Sequence, residues 1–211
     1  MILERQVKNR FTLAKAIAPL AERFRKPPNK IWTYHNADGS PAGAVARWNL
    51  SSGRKEIRPL VCANGRWELG AMPEPRPMYM LPAILPEKLV FVCEGEKAAN
   101  AGIEIGLACT TSAGGARAGA KTDWQPLAKK VTILLPDMDR AGMAYADEVA
   151  KILERMGGTV RVMTLPGLAM DSGDDLHDWV QHNRCMSFDR LKDLILKRAW
   201  MIHGIALSGR L

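Results

Sequence analysis

Residues 88–97 read KLVFVCEGEK, and this stretch decides how the rest of the chain is interpreted. Leu89–Cys93 is a short apolar run with β-branched and aromatic residues, long enough for a buried strand and too short for a typical helix. The run ends at Glu94 and Gly95, and a helical pattern follows. Because open α/β sheets bind ligands at the carboxyl ends of their strands, Glu94 is a candidate functional residue.

The same arrangement recurs further along the chain. Val131–Leu135 (VTILL) is a second apolar strand, and Asp137 and Asp139 follow it before a long helical pattern. If the two strands are parallel neighbours, Glu94 and these two aspartates converge, and hard divalent cations such as Mg²⁺ prefer such oxygen ligands. Either motif alone is also explained by helix capping, with Asp139 as the N-cap. Together, in this order, the two motifs favour a site.

These motifs resemble those of the toprim domain, which is shared by DNA primases, type IA and type II topoisomerases and some nucleases. Glu94-Gly95 matches the family's first motif, and DMDRAG at 137–142 is most similar to the second motif of bacterial and phage primases. The family's third acidic element corresponds to GDDLHDW at 173–179, with Asp175 as the best match. One departure is Ala98, where primases often carry an aspartate, so the number of metal ions is left open.

The resemblance implies an α/β fold with a doubly wound, mainly parallel sheet and flanking helices, and the alternation of strands and helices from Lys88 onward agrees with it. It implies the catalytic core of a DNA primase, a nucleotidyltransferase that makes short primers from nucleoside triphosphates on a single-stranded DNA template. Mg²⁺ or Mn²⁺ would be the cofactor, held by Glu94, Asp137, Asp139 and Asp175. The first three would be catalytic, with Glu94 either a metal ligand or a general base. Since clustered carboxylates repel one another, we expect at least one of them to have a raised pKa.

A Gly- and Ala-rich loop over residues 111–121 is a candidate phosphate cradle, because such a loop brings backbone N–H groups close to a phosphate. A flexible connector explains the composition nearly as well, and the loop lacks the Gly-Lys-Ser/Thr of a Walker A motif. The candidate nucleotide contacts are Ser112, Gly114, Gly115 and Lys121 in this loop, together with Lys97 and Arg140 beside the acidic motifs.

Residues 31–69 predict a small antiparallel meander, because short alternating strands are separated by Asp-Gly, Ser-Gly and Asn-Gly turns. Its cations are Arg47, Arg54, Lys55, Arg58 and Arg66. Interleaved with Trp48 and Trp67, they suit a single nucleic-acid strand, with cations for phosphates and rings for bases. The alternative is that the tryptophans face the core and the arginines solvate the other face.

The chain of 211 residues divides into three predicted parts. Residues 1–86 comprise an N-terminal helix over 2–24, the basic meander and a Pro-rich linker over 71–86 that packs across the larger domain. Residues 87–182 form the toprim catalytic domain, and residues 183–211 a C-terminal helical segment. The net charge of +8 is compatible with a polyanion partner. The chain shows no apolar run of membrane-spanning length and no apolar leader, so no membrane partner and a cytoplasmic protein are expected. The resemblance to phage and plasmid primase-like proteins implies a phage or mobile-element origin.

Two other functions stay open at the sequence level. A toprim nuclease uses the same acidic motifs, whereas a topoisomerase also needs a nucleophilic tyrosine, and Tyr34, Tyr79 and Tyr145 lie in no recognisable context for one. A non-catalytic replication accessory module that binds nucleic acid is the third possibility, favoured by Ala98 and by the lack of any zinc-binding or helicase segment. For a primase, those functions would come from another chain or a longer parent protein.

Overall fold

The computed structural model describes residues 12–203. The first part of the predicted helix over 2–24 and residues 204–211 of the predicted C-terminal segment therefore lie outside the described residues. Within them, α1 (Leu13–Arg23) begins after Thr12, whose side chain accepts a hydrogen bond from the Lys15 N–H. This cap satisfies one of the backbone donors that the first turn of a helix leaves unpaired.

Four strands form the predicted antiparallel meander. They are β1 (Lys30–His35), β2 (Pro41–Asn49), β3 (Lys55–Ala63) and β4 (Arg66–Leu69), hydrogen-bonded in chain order. One face of β2 presents Ala44, Ala46 and Trp48 to the apolar side of α1. The other face presents Val45, which packs with residues of the parallel sheet. The meander is therefore held between α1 and the rest of the protein.

The Pro-rich segment over residues 71–86 packs along both parts of the protein. It contains α2 (Leu81–Ile84), the single helical turn that the sequence predicts there. Met72 and Tyr79 join the core shared by the two sheets, while Leu81 and Ile84 join a second core. Its backbone is also paired, since the Arg76 N–H donates to the Lys121 carbonyl at 2.8 Å and the Tyr79 N–H donates to the Thr111 carbonyl at 2.9 Å.

The second sheet is parallel, as the sequence predicts, with helices on both faces. Its strands are β5 (Leu89–Cys93), β6 (Cys109–Thr110), β7 (Val131–Leu135) and β8 (Thr159–Val162), in the spatial order β6-β5-β7-β8. The helices are α3 (Glu96–Glu104), α4 (Arg140–Arg155), α5 (Leu176–His182) and α6 (Phe188–His203).

The alternation of side chains explains why the central strands read as continuous apolar runs. Phe91 and Ile133 point to the face covered by α3, α5 and α6, whereas Val90, Val92 and Leu134 point to the face covered by α4. A parallel sheet buried on both faces has no polar side to alternate with. Within residues 12–203, no helix combines the length and the apolar character needed to cross a membrane. The three-part division at residues 86/87 and 182/183 stays a prediction.

Candidate functional site

Three of the predicted carboxylates meet at one edge of the parallel sheet. Glu94 follows β5 and Asp137 follows β7, and these strands are adjacent and parallel, so both residues leave the sheet on the same side. Asp175 arrives by a loop, because the Met138 N–H donates to the Asp174 carbonyl (2.9 Å) and the Gly173 N–H to the Met138 carbonyl (3.1 Å). Glu94, Asp137 and Asp175 thereby line one cleft of about 670 Å³.

Glu94 and Asp137 carry unsatisfied acceptor oxygens in this cleft. Glu94 Oε2 and Asp137 Oδ1 are both buried without a hydrogen-bond partner. Burial, followed by repulsion from Glu94, Asp175 and Asp139, raises the pKa of Asp137 to about 8. Burial, followed by Asp139 and Asp175, also raises the pKa of Glu94. A raised carboxyl pKa is therefore present as expected, with burial rather than repulsion between the carboxylates as its larger cause. Two buried oxygens without donors fit a divalent cation.

The other two predicted metal ligands are also helix caps. Asp139 is the N-cap of α4, and its Oδ1 accepts the Gly142 N–H at 2.8 Å. Asp175 is the N-cap of α5, in a reciprocal capping box with Asp178. The capping interpretation of Asp139 is thus confirmed, and the role of Asp139 and Asp175 as metal ligands stays a prediction. Asp139 is not among the residues lining the cleft, yet its carboxylate helps to raise the pKa of Glu94.

Lys97 lies between two carboxylates of this edge. Its Nζ is 3.3 Å from Asp175 Oδ2 and 3.0 Å from Asp178 Oδ1. Burial opposes the charge of Lys97, but these ion pairs outweigh it and raise its pKa, and they likewise hold the pKa of Asp178 below its ordinary value. Ligand atoms of Asp175, His177 and Asp178 all lie within 4.8 Å of one another. Sequence reasoning missed Asp178, although the Asp-x-x-Asp spacing of a capping box could have identified it.

The wall opposite the carboxylates is basic. Arg47 and Lys55 line the cleft, together with Trp32. The β2–β3 register pairs Arg47 with Ile57 and Ala46 with Arg58, so Arg58 lies on the opposite face of the meander from Arg47.

The predicted nucleic-acid-binding cations of the meander therefore do not all share one face, because a side-chain period of two sends neighbouring strand residues to opposite faces. Arg54 and Arg58 both pair with Glu56 at 2.8 Å, and Arg66 lies 3.7 Å from Glu68. None of these three arginines is among the residues lining the cleft. Trp48 is fully buried against α1, and Trp67 packs partly buried against the same cluster, as the core interpretation of these residues predicts.

Of the four residues of the Gly-rich loop that the sequence predicts to contact a nucleotide, only two line the cleft. Gly114 and Gly115 line it. Ser112 is fully buried, with its hydroxyl 3.0 Å from that of Tyr145, so its side chain faces the interior. Lys121 Nζ lies 3.6 Å from Glu74 Oε1 outside the lining, and Arg140 is exposed at the start of α4.

Arg76 is a cleft residue that sequence reasoning did not identify. Its guanidinium donates to the Ala113 carbonyl (2.9 Å) and to Glu74 (3.2 Å), while its buried Nε has no partner. It thus stands beside the glycines of the loop with donor capacity to spare. The only sequence signal was that Arg76 is a cation within the Pro-rich segment, and this does not indicate where its side chain lies in the fold.

Tyr34 connects the meander to the acidic edge. Its hydroxyl, fully buried, donates to Glu96 Oε1 at 2.8 Å, and Glu96 lines the cleft. Burial raises the pKa of Glu96, and the hydrogen bond from Tyr34 partly offsets this. The pair fixes β1 against the first turn of α3.

A second groove of about 480 Å³ opens beside the first. The two share Trp32, Arg47 and Lys97. The amide side chains of the second groove are Asn29, Asn49, Asn100 and Gln181. The oxygens of Asn29, Asn49 and Asn100 already accept hydrogen bonds from within the protein, so these amides offer chiefly their NH₂ donors, which suit acceptors on the edges of unpaired bases.

Comparison with solved structures shows the fold of primase catalytic cores. The primase fragment of the bacteriophage T7 primase-helicase protein superposes with a TM-score of 0.55 at 20% identity, over 81% of this chain and 62% of that one. The Aquifex aeolicus primase, with its zinc-binding and RNA polymerase domains, gives a TM-score of 0.55 at 15% identity, over 79% of this chain and 39% of that one.

A further match comes from a bacteriophage T7 assembly in which the lagging-strand DNA polymerase interacts with primase domains bound to an RNA/DNA hybrid and dTTP. It has a TM-score of 0.55 and 20% identity over 81% of this chain and 76% of that one. No protein-family model and no curated protein sequence matches the chain. The chain thus spans between about two fifths and three quarters of these three solved chains.

Proposed function

We propose that this chain is a toprim-type catalytic core of a DNA primase, which joins nucleotides into short primers on single-stranded DNA. The observation that carries the proposal is the pair of buried, unpartnered oxygens on Glu94 and Asp137, opposite a basic wall in the same cleft. The fold likeness to primase cores supports it. A divalent cation, Mg²⁺ or Mn²⁺, would be held by Glu94 and Asp137, with Asp139 and Asp175 contributing negative charge from the adjoining helix caps.

The cation would supply neutralisation of triphosphate charge and alignment of the attacking 3′-hydroxyl. The protein's own groups supply the rest. Gly114 and Gly115 offer backbone close to the phosphates, and Arg76 offers a guanidinium already positioned by the Ala113 carbonyl. Since Arg76 lines the cleft, its guanidinium would bind a phosphate by a charge-assisted hydrogen bond, which is stronger than a neutral one.

The template strand is proposed to run from the second groove into the cleft. Arg47 and Trp32 line both, so a strand in the groove would pass them on its way to the carboxylates. Arg47 would contact a phosphate, and the amides of the groove would contact base edges. The basic meander is thus proposed as the template-binding part, with a helicase or a zinc-binding module supplied by another chain or by a longer parent protein.

Incubation with single-stranded DNA, labelled nucleoside triphosphates and Mg²⁺ or Mn²⁺ tests the proposal. We expect short labelled products whose synthesis requires both template and metal. Cleavage of the DNA without extension would instead support the nuclease function. Neither activity, with DNA binding retained, would support a non-catalytic accessory module.

Arg47→Ala should weaken binding of single-stranded DNA and lower its dependence on salt. One lost phosphate contact lowers the slope of log affinity against log salt concentration by about 0.7 for a single strand. Fluorescence anisotropy of a labelled oligonucleotide at several salt concentrations measures both quantities.

Arg54→Ala is the matched control, because Arg54 is 69% exposed, is paired with Glu56 and lies outside the cleft. It should leave affinity and slope near their wild-type values. If the two variants behaved alike, the cleft face of the meander would not be the template surface.

A further inference from the structure

We propose that Tyr145 is a positioning residue for the Gly-rich loop: its buried hydroxyl on α4 holds Ser112 and thereby fixes Gly114 and Gly115 at the cleft. The inference deepens the proposed function and rests on it for the identity of the ligand, the triphosphate of a nucleotide. At the sequence level Ser112 is a candidate nucleotide contact. Here its side chain instead supports the loop from the interior of the protein.

The link between Tyr145 and Ser112 lies inside the protein. Their hydroxyl oxygens are 3.0 Å apart, and both side chains are buried. Burial raises the pKa of Tyr145, so its hydroxyl keeps its proton and can donate to Ser112 Oγ. The Ser112 hydroxyl in turn donates to the Gly115 carbonyl, 3.5 Å away. A side chain of α4 is therefore connected to a glycine that lines the cleft.

The same hydroxyl is connected to the acidic edge through Thr111. Tyr145 forms a hydrogen bond with the Thr111 side chain, and Thr111 Oγ1 donates to the Glu94 carbonyl at 2.8 Å. Tyr145 itself lies on α4, the helix that follows Asp137. The loop and the two carboxylates that would hold the cation are thus joined to one buried group, and its loss should let the loop shift relative to them.

The loop needs such support because consecutive glycines do not hold one conformation by themselves. Gly114 and Gly115 have φ angles of 124° and 66°, and glycine loses more conformational freedom on ordering than any other residue. Beyond these two residues, the Gly119 carbonyl accepts a hydrogen bond from the Trp124 indole at 2.8 Å. Before them, the hydroxyl of Tyr145 provides the anchor from the interior.

The hydroxyl of Tyr145 is not needed to fill space. The ring belongs to the same core cluster as Val92, Leu134 and Trp124, and phenylalanine would occupy the same volume. A buried hydroxyl costs free energy unless it is hydrogen-bonded. Its presence is therefore better explained by the groups that it holds than by packing.

Isothermal titration calorimetry with inorganic tripolyphosphate and Mg²⁺ tests the proposal without primer synthesis. Tyr145→Phe should weaken tripolyphosphate binding by about tenfold, the effect of losing one hydrogen bond that orders the loop. The affinity for a labelled single-stranded oligonucleotide should stay at its wild-type value, since neither Tyr145 nor Ser112 lines the cleft or the second groove. Unchanged tripolyphosphate affinity in a folded Tyr145→Phe protein would overturn the proposal.

Thr132→Val is the matched control for deleting a buried hydroxyl. Thr132 is buried on β7, and its Oγ1 has no hydrogen-bond partner within residues 12–203. The change should therefore leave both affinities at their wild-type values. If Thr132→Val weakened tripolyphosphate binding as much as Tyr145→Phe, the effect would not be specific to the loop and the inference would be rejected.

Ser112→Ala and the double variant separate positioning from stability. Each single change leaves the other hydroxyl without this partner and should lower the melting temperature, whereas removing both partners should be nearly neutral. Tripolyphosphate affinity should behave differently. Ser112→Ala should lose about tenfold, and the double variant no more than either single variant, because all three break the same link.

Two results of this cycle would reject the inference. Recovery of the affinity together with the melting temperature in the double variant would leave Tyr145 with a structural role. Losses that multiply would make Ser112 a direct contact of the ligand.

The outcome for primer synthesis is separate. If tripolyphosphate binding follows the expected pattern in a protein that extends no primer, the proposed function is rejected and the positioning of the loop stands. If the wild type makes primers and its tripolyphosphate affinity does not respond to Tyr145→Phe, this inference is rejected and the proposed function stands.

Discussion

Replacing Asp137 by asparagine should abolish primer synthesis, with a loss on the order of 10³-fold or more. The change keeps the size of the side chain and removes the negative charge of one of the two carboxylates that would hold the cation. Because a bound metal ion contributes several kcal/mol of charge stabilisation in phosphoryl transfer, and each ~1.4 kcal/mol is tenfold in rate, losing its ligand costs several factors of ten. Extension assays on wild type and variant, with Mg²⁺ and with Mn²⁺, measure the effect.

The same variant should be more stable than the wild type when no metal is present. The pKa of Asp137 rises from its ordinary 3.8 to about 8 on folding. The folded state therefore favours the protonated form, and this contribution is complete below about pH 4 and is lost as the pH rises towards 8. Asparagine does not ionise. At pH 7 the free energy of unfolding of the Asp137→Asn variant should therefore exceed that of the wild type by roughly 2 kcal/mol or more, and the difference should vanish near pH 4. Thermal melts across this pH range in a chelating buffer measure it.

Asp147→Asn controls for the substitution itself. Asp147 lies on α4 with an exposed side chain paired to Lys151, and it is not among the residues lining the cleft. It should leave both synthesis and metal-free stability near wild type. Extension that persisted in Asp137→Asn would reject the assigned site, whichever of the three functions proved right.

Gly142→Ala should impair the site, because the added Cβ would displace the backbone of Asp137. A Cβ at residue 142 would overlap the carbonyl oxygen of Asp137 and lie 2.8 Å from its nitrogen and 2.9 Å from its Cβ. Backbone atoms cannot move aside as a flexible side chain can, so we expect a destabilisation of about 1–3 kcal/mol. Because a misplacement of about 1 Å can cost about 10²-fold in rate, synthesis should fall by about that factor.

Gly95→Ala is the matched control for this change. Gly95 also neighbours a predicted metal ligand, Glu94. A Cβ added at residue 95, however, would meet no atom within 4 Å. Its stability should stay within a few tenths of a kcal/mol of wild type, as is usual for a substitution that adds no clash. Equal melting temperatures for the two variants would show that Gly142 does not constrain Asp137.

The sequence predicts the parallel sheet and the meeting of Glu94 with Asp137 because both depend on local patterns. Each strand is an apolar run of strand length, and the carboxylate after it must emerge at the strand's carboxyl end. The position of Asp175 depended on the resemblance, since the loop that brings it in is held by backbone hydrogen bonds between residues 138 and 173–174, which no side-chain pattern encodes.

Other features could not be predicted because they depend on strand register and tertiary packing. The separation of Arg47 from Arg58 follows from a β2–β3 register that a turn signal alone leaves uncertain by a residue, and one residue reverses the face. Arg76 reaches the cleft only because the Pro-rich segment pairs with residues far along the chain. The ion pairs of Lys97 join α3 to α5, elements whose contact the sequence does not specify.

Under the proposed function, the packing of the Pro-rich segment has a consequence for how nucleic acid would enter. Rotation of the meander about residues 71–86 would break the hydrogen bonds of Arg76 and Tyr79 to residues 121 and 111 and expose Met72. Hinges are segments that change backbone angles at little cost, and this one is fixed on both sides. Under the proposed function, admission of a strand is therefore expected to need rearrangement of Arg47 and Lys97, the half-buried cations that the cleft and the second groove share, rather than the slower closure of a domain.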